Sequence, residues 1–439
     1  MQNFTRCLAT LLLPLAGCGL DERTSSTETE LSVPERAANS SGWAESASTV
    51  GSEIDRSNPF FRVVHPGRSC ASCHEAAAGW TIVPQPATAS TTGPLFKPFD
   101  ASVNPGWPVA TAAQRANAYA LVLSRGLLRT TQSVPATQTF RVIAVSDPYN
   151  FSTPAAFTRF RRPSSIANEM LAQTLTWDGI EVPPRDLLVG ISLQASAFHL
   201  QTSLSIADAE LMADFMQSLV HAQGEDAIAG RLDAAGAHGG VIALAGETFI
   251  PKHNDPLAPG FDPNVFTLYG AWTNTDPGAD ARTRARAAIA RGEVLFNTRS
   301  FPITDVAGLS DLPGTVTSGT CSTCHSVPNV GSHPVFRPMN IGTASPSLPG
   351  ASALPILTVS NATETVQVTD LGRAQQTLKW ADLGKFSVPR LRGLASRAPY
   401  FHAGSHATLD AVVGFYNVRF AIGLTVAERA DLAAFLKAL

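Results

Sequence analysis

The sequence of 439 residues has little net charge and few charged side chains. Lys and Arg number 32 against 35 Asp and Glu, which gives a formal charge of −3, and charged residues make up 15% of the chain. This balance lacks the basic surface that nucleic-acid binding requires, so we expect no nucleic-acid partner. The sequence also lacks the motifs of phosphate-cradling loops, dinucleotide-binding folds and hydrolytic triads, which excludes those enzyme classes.

Long apolar segments are also lacking. The one marked apolar run, from Leu8 to Ala16, is too short to span a bilayer. It follows a basic residue, Arg6, and it ends in Leu-Ala-Gly-Cys at Cys18, which is the pattern of a bacterial lipoprotein signal. We therefore predict a signal peptide over residues 1–18 and a lipid on Cys18 after cleavage. The predicted location is the periplasm, with a lipid anchor in the outer membrane.

Cysteine is scarce, and four of the six cysteines lie in two copies of one motif. The copies are Cys70-Ala71-Ser72-Cys73-His74 and Cys321-Ser322-Thr323-Cys324-His325. In Cys-x-x-Cys-His the two thiols add to the vinyl groups of a c-type haem, and the histidine ligates the iron. We predict two haem c groups, held by the four cysteines, with His74 and His325 as proximal ligands. Because Cys7 and Cys18 lie in the signal segment, no cysteine is left for a disulfide.

An internal repeat divides the chain beyond the signal. The segment 205–219 matches 425–439 in residue type at most positions, and each copy follows its own haem motif and opens with a capping-box pattern. We predict an N-terminal cytochrome c-like domain over residues 56–235 and a C-terminal one over 236–439, each with one haem. Residues 19–55 are rich in Ser, Thr, Ala and Glu without an apolar period, which predicts a disordered tether.

Few segments have a strand pattern. Phe140–Val145 and Ala353–Val359 are the convincing ones, and each is expected to belong to a small hairpin. A helix is expected over Thr283–Asn297, where Gly292 would let the terminal helix cross closely. The 31 Pro and 33 Gly indicate extensive loops around the haems. The predicted fold class is mainly α.

Two stretches resemble a known family. Residues 385–417 resemble the C-terminal signature of bacterial di-haem cytochrome c peroxidases and their MauG relatives, and the stretch from Arg162-Pro163 to Trp177-Asp178-Gly179 resembles the N-terminal one. The resemblance implies that the first haem meets hydrogen peroxide, while the second receives electrons from a small donor protein, a cytochrome c or a cupredoxin. It also places Trp177 where relatives have the tryptophan that assists transfer between the haems. An enzyme that reduces peroxide is the leading expectation.

The sixth ligand of the second haem is open between three residues. Counted from Thr408-Leu409, the place of the peroxidase methionine holds Tyr416, as in MauG-type proteins. Met339 and His333, on the loop after His325, are the alternatives. The choice matters because axial ligands set the haem potential and the access of other ligands.

The first site departs from the family pattern. The chain has no histidine between His74 and His199, and the region of the family's catalytic glutamate, Gln194–Gln201, has no acid. Peroxide reduction needs a base that takes a proton and an acid that returns it. We expect His199, or water oriented by Gln194 and Gln201, to act as this base and acid. Alternatively, His199 ligates the iron and closes the site.

Further predictions concern charged groups and other functions. Five arginines are candidate partners for haem propionates, because guanidinium pairs carboxylates bidentately: Arg161, Arg162, Arg390, Arg392 and Arg397. Relatives often hold a calcium ion between domains, and Asn254-Asp255 is a candidate contributor. The alternatives to a peroxidase are a MauG-like oxidase of a protein side chain, a di-haem oxygenase, and an electron carrier without catalysis.

Overall fold

The computed structural model describes most of the chain. The described residues are 34–51, 53–64, 67–86, 89–134, 139–180, 184–273, 280–311 and 316–439. The predicted signal peptide, with Cys18, lies outside these ranges, as does the first part of the predicted tether.

The helices are mostly short. In the described ranges they are α1 Ala112–Ala118, α2 Ala120–Arg125, α3 Pro184–Ala195, α4 Ile206–Ser218, α5 Gly240–Ala245, α6 Ala281–Thr298, α7 Cys321–Cys324, α8 Ala374–Thr377, α9 Leu409–Arg419 and α10 Val426–Lys437. A π-helix, Ser196–Leu200, follows α3 directly.

The strands are more numerous than expected. They are β1 Glu35–Asn39, β2 Gly42–Ser48, β3 Leu128–Gln132, β4 Arg141–Ser146, β5 Phe157–Arg161, β6 Leu219–Asp226, β7 Gly230–Arg231, β8 Phe301–Pro302, β9 Ser318–Gly319, β10 Ile356–Ser360 and β11 Thr365–Val368. They form antiparallel sheets of order β1-β2-β6-β7 and β11-β10-β4, and the pairs β3-β5 and β8-β9.

The predicted mainly α class is therefore wrong. Helices of all types account for 32% and strands, with isolated bridges, for 16% of the described residues. The strands escaped the sequence pattern because several are only two to five residues long and pair with segments far away in the sequence. Strand formation depends on such cross-strand partners more than on intrinsic propensity.

The expected tether ends earlier than residue 55. Strands β1 and β2 lie within 19–55, and β2 pairs with β6 from Gly42 opposite Asp226 to Ser48 opposite Leu219. The residues from Ala44 to Ser48 are all buried, so β2 shows no alternation of buried and exposed positions. The segment's small side chains, Ala and Ser, therefore resembled a solvated linker in the sequence.

The two predicted strands pair with each other. Strand β4, in the first half of the chain, lies antiparallel to β10, in the second half, and β10 forms a hairpin with β11. The prediction of strands at these places is confirmed, whereas β4 has its partner across the molecule instead of in a local hairpin. One sheet thus contains strands from both halves.

The long helix of the second half is confirmed and crosses the terminal helix closely. Helix α6 covers the predicted segment, and Asp280 caps its N-terminus: the Asp280 carboxylate accepts from the backbone N–H of Thr283. At Gly292, an added Cβ would lie 2.6 Å from Phe435 Cβ and closer still to the backbone oxygen of Asp431. Only glycine permits this crossing of α6 and α10. In the described ranges, no helix has the length and apolar character needed to cross a membrane.

Candidate functional site

The two haem motifs have the same local geometry. The backbone N–H of each histidine donates to the carbonyl of the first cysteine, at 3.0 Å for His74 and 3.2 Å for His325. Each ring Nδ1 donates to a carbonyl six residues later, that of Trp80 at 2.9 Å and that of Gly331 at 2.6 Å. Both rings therefore keep Nε2 free for a metal, with the ring orientation fixed by the second hydrogen bond.

Burial gives these groups the protonation state that haem attachment needs. Burial lowers the pKa of both His74 and His325 to about 4, so the imidazoles are neutral at pH 7. A neutral imidazole is the form that binds iron. The four cysteines, Cys70, Cys73, Cys321 and Cys324, carry free thiols.

Aromatic packing repeats around the two histidines. Phe60 lies 6.2 Å from the ring of His74 and 5.2 Å from Phe215 on α4. Phe296 of α6 lies 6.3 Å from the ring of His325 and 5.6 Å from Phe435 on α10. The closing helices that the sequence repeat predicted thus occupy equivalent places at the two sites.

A large, mostly apolar cavity surrounds the second motif. It encloses about 1610 Å³, including space open to solvent. Cys321, Cys324 and His325 line it, together with Met339 and Tyr416. A cavity of this size beside two free thiols and a neutral imidazole fits one haem c.

Two of the three candidates for the sixth ligand line this cavity. Tyr416, on α9, and Met339 both line the cavity. His333 is not among the lining residues, and its ring nitrogens are engaged by the carbonyl of Cys324 at 2.9 Å and by Arg337 at 3.3 Å. Burial raises the pKa of the Tyr416 phenol well above its ordinary value, so the free side chain is neutral.

Two buried arginines at this cavity form no ion pair with a carboxylate among the described residues. Arg162 donates to backbone carbonyls of residues 82 and 397–399, and Arg397 donates to those of residues 390 and 392. In the described part of the chain, the buried Nε of each arginine has no hydrogen-bond partner. Burial, with a neighbouring arginine, lowers the pKa of Arg162 to about 9 and of Arg397 to about 10. Buried cations need a counter-charge. The propionates of a haem fit this requirement.

The other three candidate arginines have partners within the protein. Arg161 pairs with Asp178 and Asp370, and Arg390 pairs with Glu169 through two hydrogen bonds of 2.8 and 2.9 Å. Arg392 donates to three backbone carbonyls, those of Leu439, Asn329 and Gly240. Arg392 thus differs from Arg162 and Arg397 because all three of its guanidinium nitrogens donate hydrogen bonds and because it does not line the cavity.

Trp177 lies at the same cavity. Its Nε1 donates to the carbonyl of Arg162 at 2.8 Å, and its ring packs edge-on against His402 at 6.2 Å. The ring of His402 is stacked on Phe386 at 4.0 Å, and its buried Nε2 has no hydrogen-bond partner among the described residues. Trp177 therefore comes from the first half of the chain and borders the site of the second half.

His199, in the π-helix, contacts an acid that the sequence did not indicate. Its Nδ1 lies 2.7 Å from Oδ2 of Asp100, a fully buried residue that is also bound by Arg68. The acid stands 99 positions away from the histidine, so an inspection of the neighbouring sequence could not find it. The sequence did contain one indication of a buried acid: Arg68 lies two residues before Cys70, and a buried arginine needs a counter-charge.

Comparisons with known proteins agree with the motifs. No protein-family model matches the chain. The chain is 33% identical over 141 residues to the cytochrome-c peroxidase IdrP1 of Denitromonas iodatirespirans, covering 27% of this chain and 36% of the relative. It is 44% identical over 78 residues to IdrP2 of the same organism, covering 16% of this chain and 21% of the relative. The chain resembles cytochrome c peroxidases. The predicted resemblance is thus confirmed. The aligned residues span about a third or less of the length of these peroxidases.

The comparison with solved structures gives low TM-scores and lower sequence identities than these peroxidases have. A MauG-like protein associated with microbial copper homeostasis has a TM-score of 0.39 at 18% identity, covering 87% of this chain and 86% of that one. The hydrazine synthase of Kuenenia stuttgartiensis has a TM-score of 0.28 at 15% identity, covering 83% of this chain and 92% of that one.

The candidate calcium residues are engaged in other contacts. Asn254 donates to the carbonyls of Asp262 and Ser326, and Asp255 pairs with Arg337 at 2.7 Å. Within the described ranges no group of three or more His, Cys, Asp or Glu side chains could hold a metal ion. The expected calcium ion finds no support at this place.

Proposed function

We propose that this protein is a di-haem c-type cytochrome that reduces hydrogen peroxide to water with electrons from a small cytochrome c or cupredoxin. The observation that carries the proposal is the repeated site: two motifs of free thiols and a neutral, oriented imidazole, of which one borders a haem-sized cavity. The similarity to cytochrome c peroxidases supports the same reaction. When attached, each haem supplies a redox-active iron.

The two sites take different roles in this proposal. Cys321, Cys324 and His325 hold the haem that receives electrons, with Arg162 and Arg397 on its propionates. Cys70, Cys73 and His74 hold the haem that meets peroxide. Trp177 borders the second site and assists transfer between the two. The surroundings support this difference in role. The cavity of the second haem is lined by two candidates for a sixth ligand, which would close that iron to peroxide. Near the first motif, His199 pairs with an acid and can transfer protons.

Peroxide reduction also needs proton transfer, and His199 is suited to it. The reaction consumes one peroxide, two electrons and two protons and yields two waters. One proton must leave the bound peroxide and be returned to the departing oxygen. In the proposal His199 carries out this proton transfer. The pair of His199 and Asp100 takes the role of the glutamate that relatives carry.

Tyr416 favours a second candidate function. Its place at the second cavity is shared with MauG-type proteins, in which the sequence resemblance implies a tyrosine ligand. A MauG-like oxidase of a protein side chain, or a di-haem oxygenase, would use the same scaffold on another substrate.

Turnover and spectroscopy of the holoprotein test the proposal. The full chain is produced in a host that matures c-type cytochromes, and haem is measured per chain. We expect two covalent haems, a high-spin ferric signal from one, and peroxide-dependent oxidation of a reduced cytochrome c. Two low-spin haems whose spectra do not change with peroxide, in both the oxidised and the half-reduced protein, would instead identify an electron carrier. Two haems with peroxide reactivity but no oxidation of a donor would favour the oxidase.

We also propose that the protein is exported and anchored to the outer membrane through Cys18. The support is the lipoprotein-like sequence before that cysteine. Fractionation of cells that express the wild type and Cys18→Ala tests it: the variant should leave the membrane fraction while retaining its haem. Equal membrane association of the two proteins contradicts the anchor.

A further inference from the structure

Asp100 is enclosed between an arginine and a histidine. Both Asp100 and Arg68 have no exposed side-chain surface. The two guanidinium NH groups of Arg68 donate to the two carboxylate oxygens at 2.6 and 3.0 Å, and Nδ1 of His199 lies 2.7 Å from Oδ2. A buried carboxylate with a bidentate guanidinium is stable in its ionised form.

This arrangement fixes which nitrogen of His199 carries the proton. An ionised carboxylate accepts hydrogen bonds and donates none. Nδ1 of His199 must therefore be the donor to Asp100, and in the neutral ring Nε2 is then the basic nitrogen. The side chain of His199 is 29% exposed, so a small molecule from solvent can reach the ring.

The backbone of His199 is held as well as its ring. Arg68 donates to the carbonyl oxygen of His199 at 3.1 Å, and its remaining hydrogen bonds, to the carbonyls of Pro94 and Leu95, fix the loop that carries Asp100. His199 itself lies in the π-helix Ser196–Leu200, a conformation that is rare and is frequent at functional sites. One arginine thus ties the loop, the acid and the π-helix together.

The cluster is close to the first haem motif. Arg68 stands two residues before Cys70 in the chain. Cys73 packs against a core cluster that contains Leu95, Phe96 and Ala101, the residues on either side of Asp100 in the chain.

We propose that Asp100 is the positioning residue for proton transfer at the first haem: it holds His199 with Nδ1 protonated and Nε2 ready to accept a proton from peroxide. This inference rests on the proposed peroxidase function. Nε2 takes the proton from one peroxide oxygen and returns it to the other, which leaves as water when the O–O bond breaks. The oxygen that remains becomes the second water with two protons from solvent and two electrons from the donor protein.

Cyanide binding measures the proton acceptor without turnover. Hydrogen cyanide must lose its proton to bind ferric iron as cyanide, so a base beside the iron accelerates its association. We expect Asp100→Asn to slow cyanide association with the high-spin haem about 10- to 100-fold, and Asp100→Glu to retain more of the rate. Asp214→Asn, which removes an exposed ion pair with Arg185, is the matched control and should leave the rate unchanged.

A double-mutant cycle separates positioning from a structural role. If Asp100 acts through His199, Asp100→Asn should have little further effect on cyanide association in a His199→Gln background. Equal slowing in both backgrounds, at unchanged haem content, would overturn the inference. So would a wild-type rate in Asp100→Asn itself.

A measurement on the wild type covers the case in which Asp100→Asn does not fold. ¹⁵N NMR of the diamagnetic ferrous carbonyl form reports which nitrogen of His199 is protonated. Protonation at Nδ1 is expected, and the opposite tautomer would overturn the inference. If cyanide association depends on Asp100 as predicted while peroxide oxidises no donor, the positioning role stands and the peroxidase function fails.

Discussion

The carbonyl oxygen of Trp80 lies 2.9 Å from Nδ1 of His74, and the next residue, Thr81, lines the cavity of the second motif. A single peptide unit thus joins the histidine of the first site to the border of the second. The side chain of Trp80 is fully buried, and its Nε1 donates to Ser46 of β2 at 2.9 Å. The N-terminal strands, which the sequence assigned to a tether, therefore support the junction between the two sites.

Arg397 should control the potential of the second haem. Arg397→Gln removes a buried positive charge from its cavity, and a nearby cation favours the reduced iron. We expect a potentiometric titration to give a potential lower by roughly 50 mV, the order expected for a unit charge at an effective dielectric of about 20. Arg397→Lys should retain most of the wild-type potential, and Arg291→Gln, which removes an exposed ion pair with Asp431, is the control. An unchanged potential in Arg397→Gln contradicts the assignment.

Tyr416 and Met339 can be distinguished by paired substitutions. Tyr416→Phe keeps the ring that stacks on Phe420 at 6.1 Å and removes the oxygen. Met339 is held through its backbone, which exchanges hydrogen bonds of 2.8 and 2.9 Å with Phe386, so Met339→Leu should preserve the loop. We expect electron paramagnetic resonance to show a changed signal of the second haem in Tyr416→Phe alone. A change confined to Met339→Leu would assign the methionine instead.

Gly292 should be essential for the crossing of α6 and α10. Gly292→Ala places a methyl group within 2.6 Å of Phe435 Cβ, and overpacking of this kind costs about 1–3 kcal/mol. The matched control is Gly190→Ala in α3, where an added Cβ meets nothing within 4 Å. That change should stabilise the protein by up to about 1 kcal/mol, because alanine favours helix. Denaturant titration of both variants checks the prediction, and equal effects would refute it.

His221 should make the protein less stable as the pH falls. Burial, with the charge of Arg397, lowers its pKa to about 3 in the folded state from an ordinary value of 6.5. Between these values the unfolded chain binds a proton that the folded chain does not, so the free energy of unfolding rises with pH across this window. One such proton contributes about 1.4 kcal/mol per pH unit.

His221→Gln should remove this contribution. We expect a smaller slope of the unfolding free energy against pH between about pH 4 and 6. Denaturant titrations at several pH values give the slope, and exposed His253→Gln is the control. A slope equal to that of the wild type would mean that His221 is protonated in the folded protein.

The local part of the site could be predicted from the sequence. The Cys-x-x-Cys-His spacing brings two thiols and an imidazole together within one turn, so Cys321, Cys324 and His325 needed no tertiary information. The same holds for α6 and α10, because helical periodicity and capping act over four residues, and Gly292 signalled their crossing. A buried strand such as β2 gave no comparable signal, since its partner β6 lies more than 170 residues away.

By itself, the sequence determined the two attachment motifs, their repeat and the helices that close each site. The tertiary structure decided the contact of His199 with Asp100, the burial of Arg162 and Arg397 against main-chain carbonyls, and the position of His333 outside the cavity lining. The physical reason is the range of the interactions. The spacing of side chains along one turn depends only on neighbouring residues. Burial and the pairing of charges depend on segments that meet only after the chain has folded.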